Sequence, residues 1–473
     1  MAPPNNPHAV PPSIYDNNVD NADGHAQSAP VDNVGDLLSG NLPLRKVKTG
    51  FTPHRVSCHV AEMPGKNQTL EQVHHLLVGE IRNAHFELDH LEEQKLPSDA
   101  IPFKPAEIFS SMKTSTDHVL YDQGKRQWVN WPSDNSYKKG SGVAEAQLAQ
   151  CINDIGQFIA TAEKIGGPPR KWTAKYNNTF VPHSRCFRKP DVVLMNADDA
   201  DAPDVKTTGW PSIFAVAELK TGNSPGDSLV QLAHSARLIF GTQPDRRFVL
   251  GFTVHRQTMT FVVFNRAGLF CSDAFNVHEH PERLIHVVGG LMFADREHIG
   301  FDSTLKFTRF DETGEFKRTI KVNGNIYDIC EVLHVENVIR GRATACFKVK
   351  RIEDDKEKFY VIKNGWVDES RDLKEPTILK ELKEIPGITQ IEEYETLSET
   401  THNDIEECSK VGWLTEKEAK KLREQVDLRK QVRIVMTSVG SSIFQFKSLK
   451  ELVYAFIKIV EGEGGLSSVH QFY

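Results

Sequence analysis

Apolar positions recur every three to four residues between 141 and 162, and the pattern then changes character. Leu148, Ile152, Ile155, Ile159 and Ala162 lie on one stripe of a helix that Ser141 can cap. Two apolar, β-branched runs follow, Asp191 to Met195 and Ile213 to Glu218, separated by a polar, Asp-rich loop; both read as strands. A helix that Asp227 can open extends to Phe240. Phe248 to Val254, a turn at His255-Arg256-Gln257, and Met259 to Phe264 then read as a strand and its return. This order of helix, strands, helix, strand and hairpin predicts an α/β sheet layered by helices.

Upstream, a charged helical pattern runs through Leu76, Leu77, Ile81 and Phe86, over about 70–95. Beyond a boundary near 300 come short strands at 326–332, 345–350 and 359–363, helices at 376–384 and 415–428, a strand at 433–437 and a helix at 448–460. The expected organisation is a tail 1–45, an α/β domain 46–300, a second domain 301–460 and a flexible end 461–473. The tail is rich in Pro, Asn, Asp and Ala with few large apolar residues, so it cannot offset its ordering entropy and is expected to be disordered.

Composition narrows the function classes. A net charge of −7 argues against a protein coated in nucleic acid, though local basic patches are compatible with it. Seven scattered cysteines without a C-x-x-C pair fit a reducing compartment and argue against disulfides and structural zinc. No apolar run approaches a membrane span and no signal-peptide core is present, so the expected setting is intracellular, cytoplasmic or nuclear, with no membrane partner.

Candidate chemistry begins with Asp191, Glu218 and Lys220. Strand alternation puts Glu218 and Lys220 on one face with Leu219 opposite, and Asp191 opens a strand that can pair alongside. Two carboxylates can hold Mg²⁺ against a phosphodiester, with a lysine orienting the attacking water or neutralising developing charge. Glu145, three and seven residues before Leu148 and Ile152, is a candidate third metal ligand; the alternative is a first-turn acid answering the helix N-terminus.

Residues 164–189 interleave Lys164, Arg170, Lys171, Lys175, Arg185, Arg188 and Lys189 with Trp172, Tyr176 and Phe180. A solvated loop is the first reading, and nucleic-acid contact through base stacking the alternative. His278, Glu279, His280 and His286 lack a fourth ligand at zinc spacing and read as a hairpin edge.

The region 141–265 resembles the PD-(D/E)XK nuclease superfamily, carried by Asp191, Glu218 and Lys220. Gln231 fits a glutamine frequent in that superfamily. Further on, Gly341 in the turn 339–344, Lys363 ending the run Phe359-Tyr360-Val361-Ile362, and Glu375 (with Glu381 as alternative) resemble the first half of a protein kinase.

Over about 140–460 the chain is similar to the fungal-type protein kinase family, in which a nuclease-like region precedes a divergent kinase domain. The likeness rests on Arg188-Lys189-Pro190-Asp191, Ala217-Glu218-Leu219-Lys220, Ala236 to Phe240, Gln243 to Phe252, Ile299-Gly300-Phe301-Asp302, Ile362 to Trp366 and Phe446 to Leu452. It implies a restriction-endonuclease-like αβββαβ core followed by an incomplete α+β kinase-like N-lobe. ATP and Mg²⁺ are the implied cofactors and a protein the implied substrate of serine/threonine phosphorylation, with Gly341, Lys363 and Glu375 at the nucleotide. No catalytic-loop aspartate or Asp-Phe-Gly follows, so the resemblance also implies a truncated or degenerate member, inactive in phosphotransfer by itself.

Overall fold

A computed structural model of the chain describes residues 70–457 except 82–83, 117–118, 138–139, 183–185, 203–207, 222–224, 310–315, 355–357, 384, 386–387, 438 and 441–445. The expected disordered tail and flexible end lie outside the described residues.

Helix α1 (Leu70–Ile81) leads to strand β1 (His85–Glu87) and two helices, α2 (Leu91–Lys95) and α3 (Pro105–Thr114). The helical pattern anticipated over 70–95 is thus broken by a strand. The cause is tertiary: β1 adds a parallel edge against 269–271, and Phe86 packs on Phe270 at 5.0 Å. A small hairpin, β2 (Tyr121–Asp122) and β3 (Gln127–Trp128), precedes the long helix α4 (Val143–Glu163).

Gly142, with φ of +69°, sits at the cap position of α4, and Ser141 Oγ accepts the Val143 N–H at 3.3 Å. The α4 stripe Leu148, Ile152, Ile155 and Ile159 is completely buried. Each such side chain stabilises the fold by roughly 1.5–3 kcal/mol.

Next come β4 (Arg170–Thr173), β5 (Val192–Asn196), the short helix α5 (Ala197–Asp201), β6 (Ala215–Lys220), α6 (Pro225–Thr242), β7 (Val249–His255), β8 (Thr258–Asn265), β9 (Gly268–Cys271), β10 (Phe275–Asn276) and α7 (Pro281–Phe293). Helix α6 opens at Pro225, whose fixed φ suits a first turn, and Asp227 lies inside that turn rather than capping it. The strands form one sheet in the order β1-β9-β8-β7-β6-β5-β4, with β10 beside β8. Among the described residues only β1·β9 and β6·β7 pair in parallel, and α6 makes the β6-to-β7 crossover. Alternation divides the strands between two cores. Val192, Leu194, Ala215 and Ala217 face α4 and α7, while Val193, Met195 and Val216 face α6.

The second sheet is wholly antiparallel. It comprises β11 (Leu305–Arg309), β12 (Phe316–Val322), β13 (Asn325–Val335), β14 (Ala345–Arg351), β15 (Phe359–Asp368), β16 (Ile391–Thr400) and β17 (Arg429–Met436), in the order β11-β12-β13-β14-β15-β17-β16. Helix α8 (Glu375–Glu381) lies between β15 and β16; α9 (Asn403–Lys410) and α10 (Glu416–Gln425) lie between β16 and β17. Residues 449–457 are helical, as the pattern anticipates, and Leu449, Val453, Tyr454 and Phe456 there are exposed.

Two of the runs that carry the family likeness meet where the sheets join. Arg246 bridges Phe301, Arg247 N–H donates to the Gly300 carbonyl at 2.8 Å, and Asp302 N–H to the Asp245 carbonyl at 2.8 Å. Asp302 Oδ2 in turn accepts Arg433 Nη2 at 2.6 Å, and Arg433 is completely buried. Among the described residues no helix is long and apolar enough to cross a membrane.

Candidate functional site

Pairing of Val192 with Ala217 sets Asp191, just before β5, beside Glu218 on β6. Asp191 Oδ2 accepts the Leu219 N–H at 2.7 Å. Lys220 Nζ lies 3.7 Å from that oxygen and 3.8 Å from Glu218 Oε2. The three residues singled out by spacing therefore converge.

Glu218 is 2 % exposed. Burial, and then the Asp191 charge, push its carboxyl well above the ordinary range, against the pull of Lys220 and Arg188. Its Oε1 is buried without a hydrogen-bond partner. A buried acid with an orphan oxygen costs stability, which makes the pair a candidate for function.

Glu145 sits in the first turn of α4, close enough for burial and Asp191 to raise its carboxyl and Lys220 to lower it. Among the described residues, however, no three His, Cys, Asp or Glu side chains form a group that could hold a metal ion. Glu145 thus neighbours Asp191 and Lys220 from the first turn of a helix. It stays at a helix start, where the N-terminus favours an acid, while the other two sit at strand ends.

Two residues beside the site were not among the site candidates named from the sequence. Arg188, three before Asp191 in the same basic run, is 7 % exposed and donates Nη2 to the Gln231 carbonyl at 3.2 Å. Burial lowers its guanidinium pKa, and Glu218 and Asp191 partly restore it. Gln231 thus bears on the site through its main chain. Tyr137 is also close: burial, with Glu145, Asp134 and Asp191 nearby, pushes its hydroxyl up to about 12. The Arg188-Lys189-Pro190-Asp191 run was a signal for the arginine; nothing in the sequence marked Tyr137.

The basic-aromatic stretch does not offer the stacking platform its composition suggested. Trp172 and Tyr176 are core residues, leaving Phe180 and Phe187 exposed and packed on each other at 4.9 Å. Lys171 pairs with Asp201 at 2.6 Å, and Lys175 donates to the Asp199 carbonyl at 2.5 Å. The histidines near 280 are structural: His278 Nδ1 accepts the Trp128 N–H at 3.1 Å, and His286 Nε2 meets the Leu96 carbonyl at 2.8 Å.

The second cluster centres on Lys363 in β15, the third strand of the meander β13-β14-β15. Lys363 Nζ donates to both Glu375 carboxylate oxygens at 2.7 Å. Glu375 opens α8, whose start Pro376 fixes. Cys346, opposite Lys363 on β14, is held above its usual thiol pKa by burial. A cavity of about 50 Å³ adjoins the pair, lined among others by Arg342, Thr344, Trp366 and Arg371. Gly341, with φ of +120°, does not line it; its N–H faces the Arg266 carbonyl at 3.5 Å.

Residues 189–471, which span both clusters, match the family of fungal protein kinases. The chain belongs to that family. No curated protein and no solved structure matches it. The family membership supports a kinase-like function in general terms.

Proposed function

We propose that the second sheet with α8 is a kinase-like lobe in which Lys363 holds nucleotide phosphates and Glu375 braces it. The observation that carries this reading is the two-oxygen grip of Glu375 on Lys363, at 2.7 Å to each oxygen. A lysine fixed by a glutamate on the next helix presents a positive charge in a set direction, which is what phosphate binding needs. ATP with Mg²⁺ is the cofactor of this reading and a protein hydroxyl its acceptor.

The 473 residues contain no His-Arg-Asp loop and no Asp-Phe-Gly. The proton acceptor and the Mg²⁺-holding aspartate of a kinase lie in those two motifs, so the step read here from the residues present is nucleotide binding. Calorimetry with Mg·ATP tests it. Lys363→Ala is expected to weaken binding at least about tenfold, and equal affinity in the variant would overturn the assignment.

A second reading is favoured by the convergence of Asp191, Glu218 and Lys220: a nuclease-like first domain cleaving a phosphodiester. The orphaned Glu218 Oε1 beside Asp191 fits a divalent cation, which would be held by those two carboxylates and would polarise the phosphoryl oxygen. Lys220, within 4 Å of both acids, would steady an attacking water in this reading. Plasmid and single-stranded DNA incubated with Mg²⁺ should be cut by the natural chain and spared by Glu218→Ala. Equal inertness of the two proteins would leave the first domain as a binding or regulatory module.

A further inference from the structure

The turn that joins β13 to β14 belongs structurally to both sheets. Its C-terminal arm walls the Lys363 cavity: Arg342 and Thr344 line it, and the Arg342 carbonyl accepts the Trp366 N–H at 2.7 Å. Its N-terminal arm is bound into the first domain. Ile339 is completely buried in the core shared by Leu77, Ile81 and Phe240. The Glu80 carboxylate of α1 accepts the N–H groups of Ile339 and of Arg340, the latter at 2.7 Å. Arg266, stacked on Phe240 at 3.8 Å, donates Nη1 to the Val338 carbonyl at 2.8 Å. Asn337 lies so close to Gly241 of α6 that a Cβ there would fall 2.8 Å from its side-chain oxygen.

From this we infer that the first domain is an autoinhibitory clamp: by gripping 337–340 it keeps the glycine-bearing turn from folding over a phosphate group at Lys363. The inference rests on the nucleotide reading given above. The cavity left beside Lys363 is about 50 Å³, against the roughly 300 Å³ or more that small-molecule sites usually offer. The grip is built from one enclosed apolar side chain and a set of hydrogen bonds to the turn's main chain. A ligand that needs the undocked turn binds more weakly by the population of that state.

Mg·ATP affinity, measured by calorimetry on the full chain and on Glu80→Ala, Gly241→Ala and Lys363→Ala, tests the clamp. Gly241→Ala suits its helix and disturbs only the seat of Asn337, so it answers the question even where Glu80→Ala fails to fold. Both clamp variants are expected to bind about five- to tenfold more tightly than the natural chain, in the usual range of coupling between sites. Lys363→Ala should lose binding. In the natural chain, adding Mg·ATP should speed amide exchange at 338–342.

Unchanged affinity in both clamp variants, with loss in Lys363→Ala, would overturn the clamp and leave the nucleotide site standing. Weaker binding in the clamp variants would mean that docking pre-shapes the turn, which also overturns it. Absence of binding in every protein would remove the nucleotide site and the clamp together.

Discussion

Glu218 is the residue whose environment most contradicts its chemistry. Its carboxyl is pushed well above the model-peptide value of 4.5, so over the interval above 4.5 the folded chain keeps a proton that the unfolded chain releases. Stability therefore falls as pH rises through that interval, because the folded state binds more protons. Glu218→Gln should unfold at a higher temperature than the natural chain at neutral pH, by about 1 kcal/mol or more. The advantage should vanish near pH 4, and melting curves at the two pH values check both halves. A gain confined to neutral pH would mark Glu218 as kept for its charge; the same gain at both would mark a packing effect.

Legibility at this scale was uneven. Asp191, Glu218 and Lys220 could be found because period-two alternation fixes side-chain direction along a strand. Lys363 was read as ending its strand, whereas β15 continues to Asp368 because residues 364–368 pair with β17; the helix start at Glu375-Pro376 was marked in the chain. Glu145 was legible as a first-turn acid on the inward face of its helix, and Asp191 and Lys220 are among its charged neighbours. The sequence made Trp172 and Tyr176 look like surface residues, since flanking cations conceal the burial of an aromatic.

At the scale of elements, the pattern located α4, β5, β6, α6 and the β7-β8 hairpin to within a few residues, all of them strongly apolar and two-sided. It passed over α3, α7, α9, β11, β12 and β16. Strand β16 shows why: it lies at a sheet edge and its burial alternates only between partial and exposed, so Glu392, Glu393, Glu395 and Glu399 give it no apolar period.

Close approaches between elements are also hidden from periodicity. Gly300 has φ of +105°, and a Cβ there would run into the Phe248 carbonyl. Gly300→Ala is expected to lower the unfolding free energy by about 2 kcal/mol or more, from backbone strain and steric clash together. Denaturant titration reads the loss, and a change below about 0.5 kcal/mol would show that the junction can relax around the methyl.

For the molecule as a whole, the two sheets are joined through a buried ion pair. Asp302 leaves the first sheet's neighbourhood and meets Arg433 in β17, with Gln431 Nε2 also donating to Asp302 at 3.2 Å and Arg433 Nη1 to Thr304 at 2.7 Å. Asp302→Ala strands a guanidinium in the interior and should destabilise the chain by about 3–5 kcal/mol. The double variant Asp302→Leu with Arg433→Met removes both charges and should recover most of that loss in thermal melts. Failure of the double variant to recover would show that the accompanying hydrogen bonds carry the junction, not the charges.

The strand order has a bearing on how the protein is born. In the second sheet, β17 lies between β15 and β16 although it is the last of the three to be synthesised. On the ribosome, the hydrogen-bonding edges of β15 and β16 remain bare until residue 436 has left the exit tunnel, and α9 and α10 are made during that wait. A pause in translation over 400–428 would prolong this exposed intermediate, so codon usage there should govern how much of the nascent chain reaches the native state rather than aggregates.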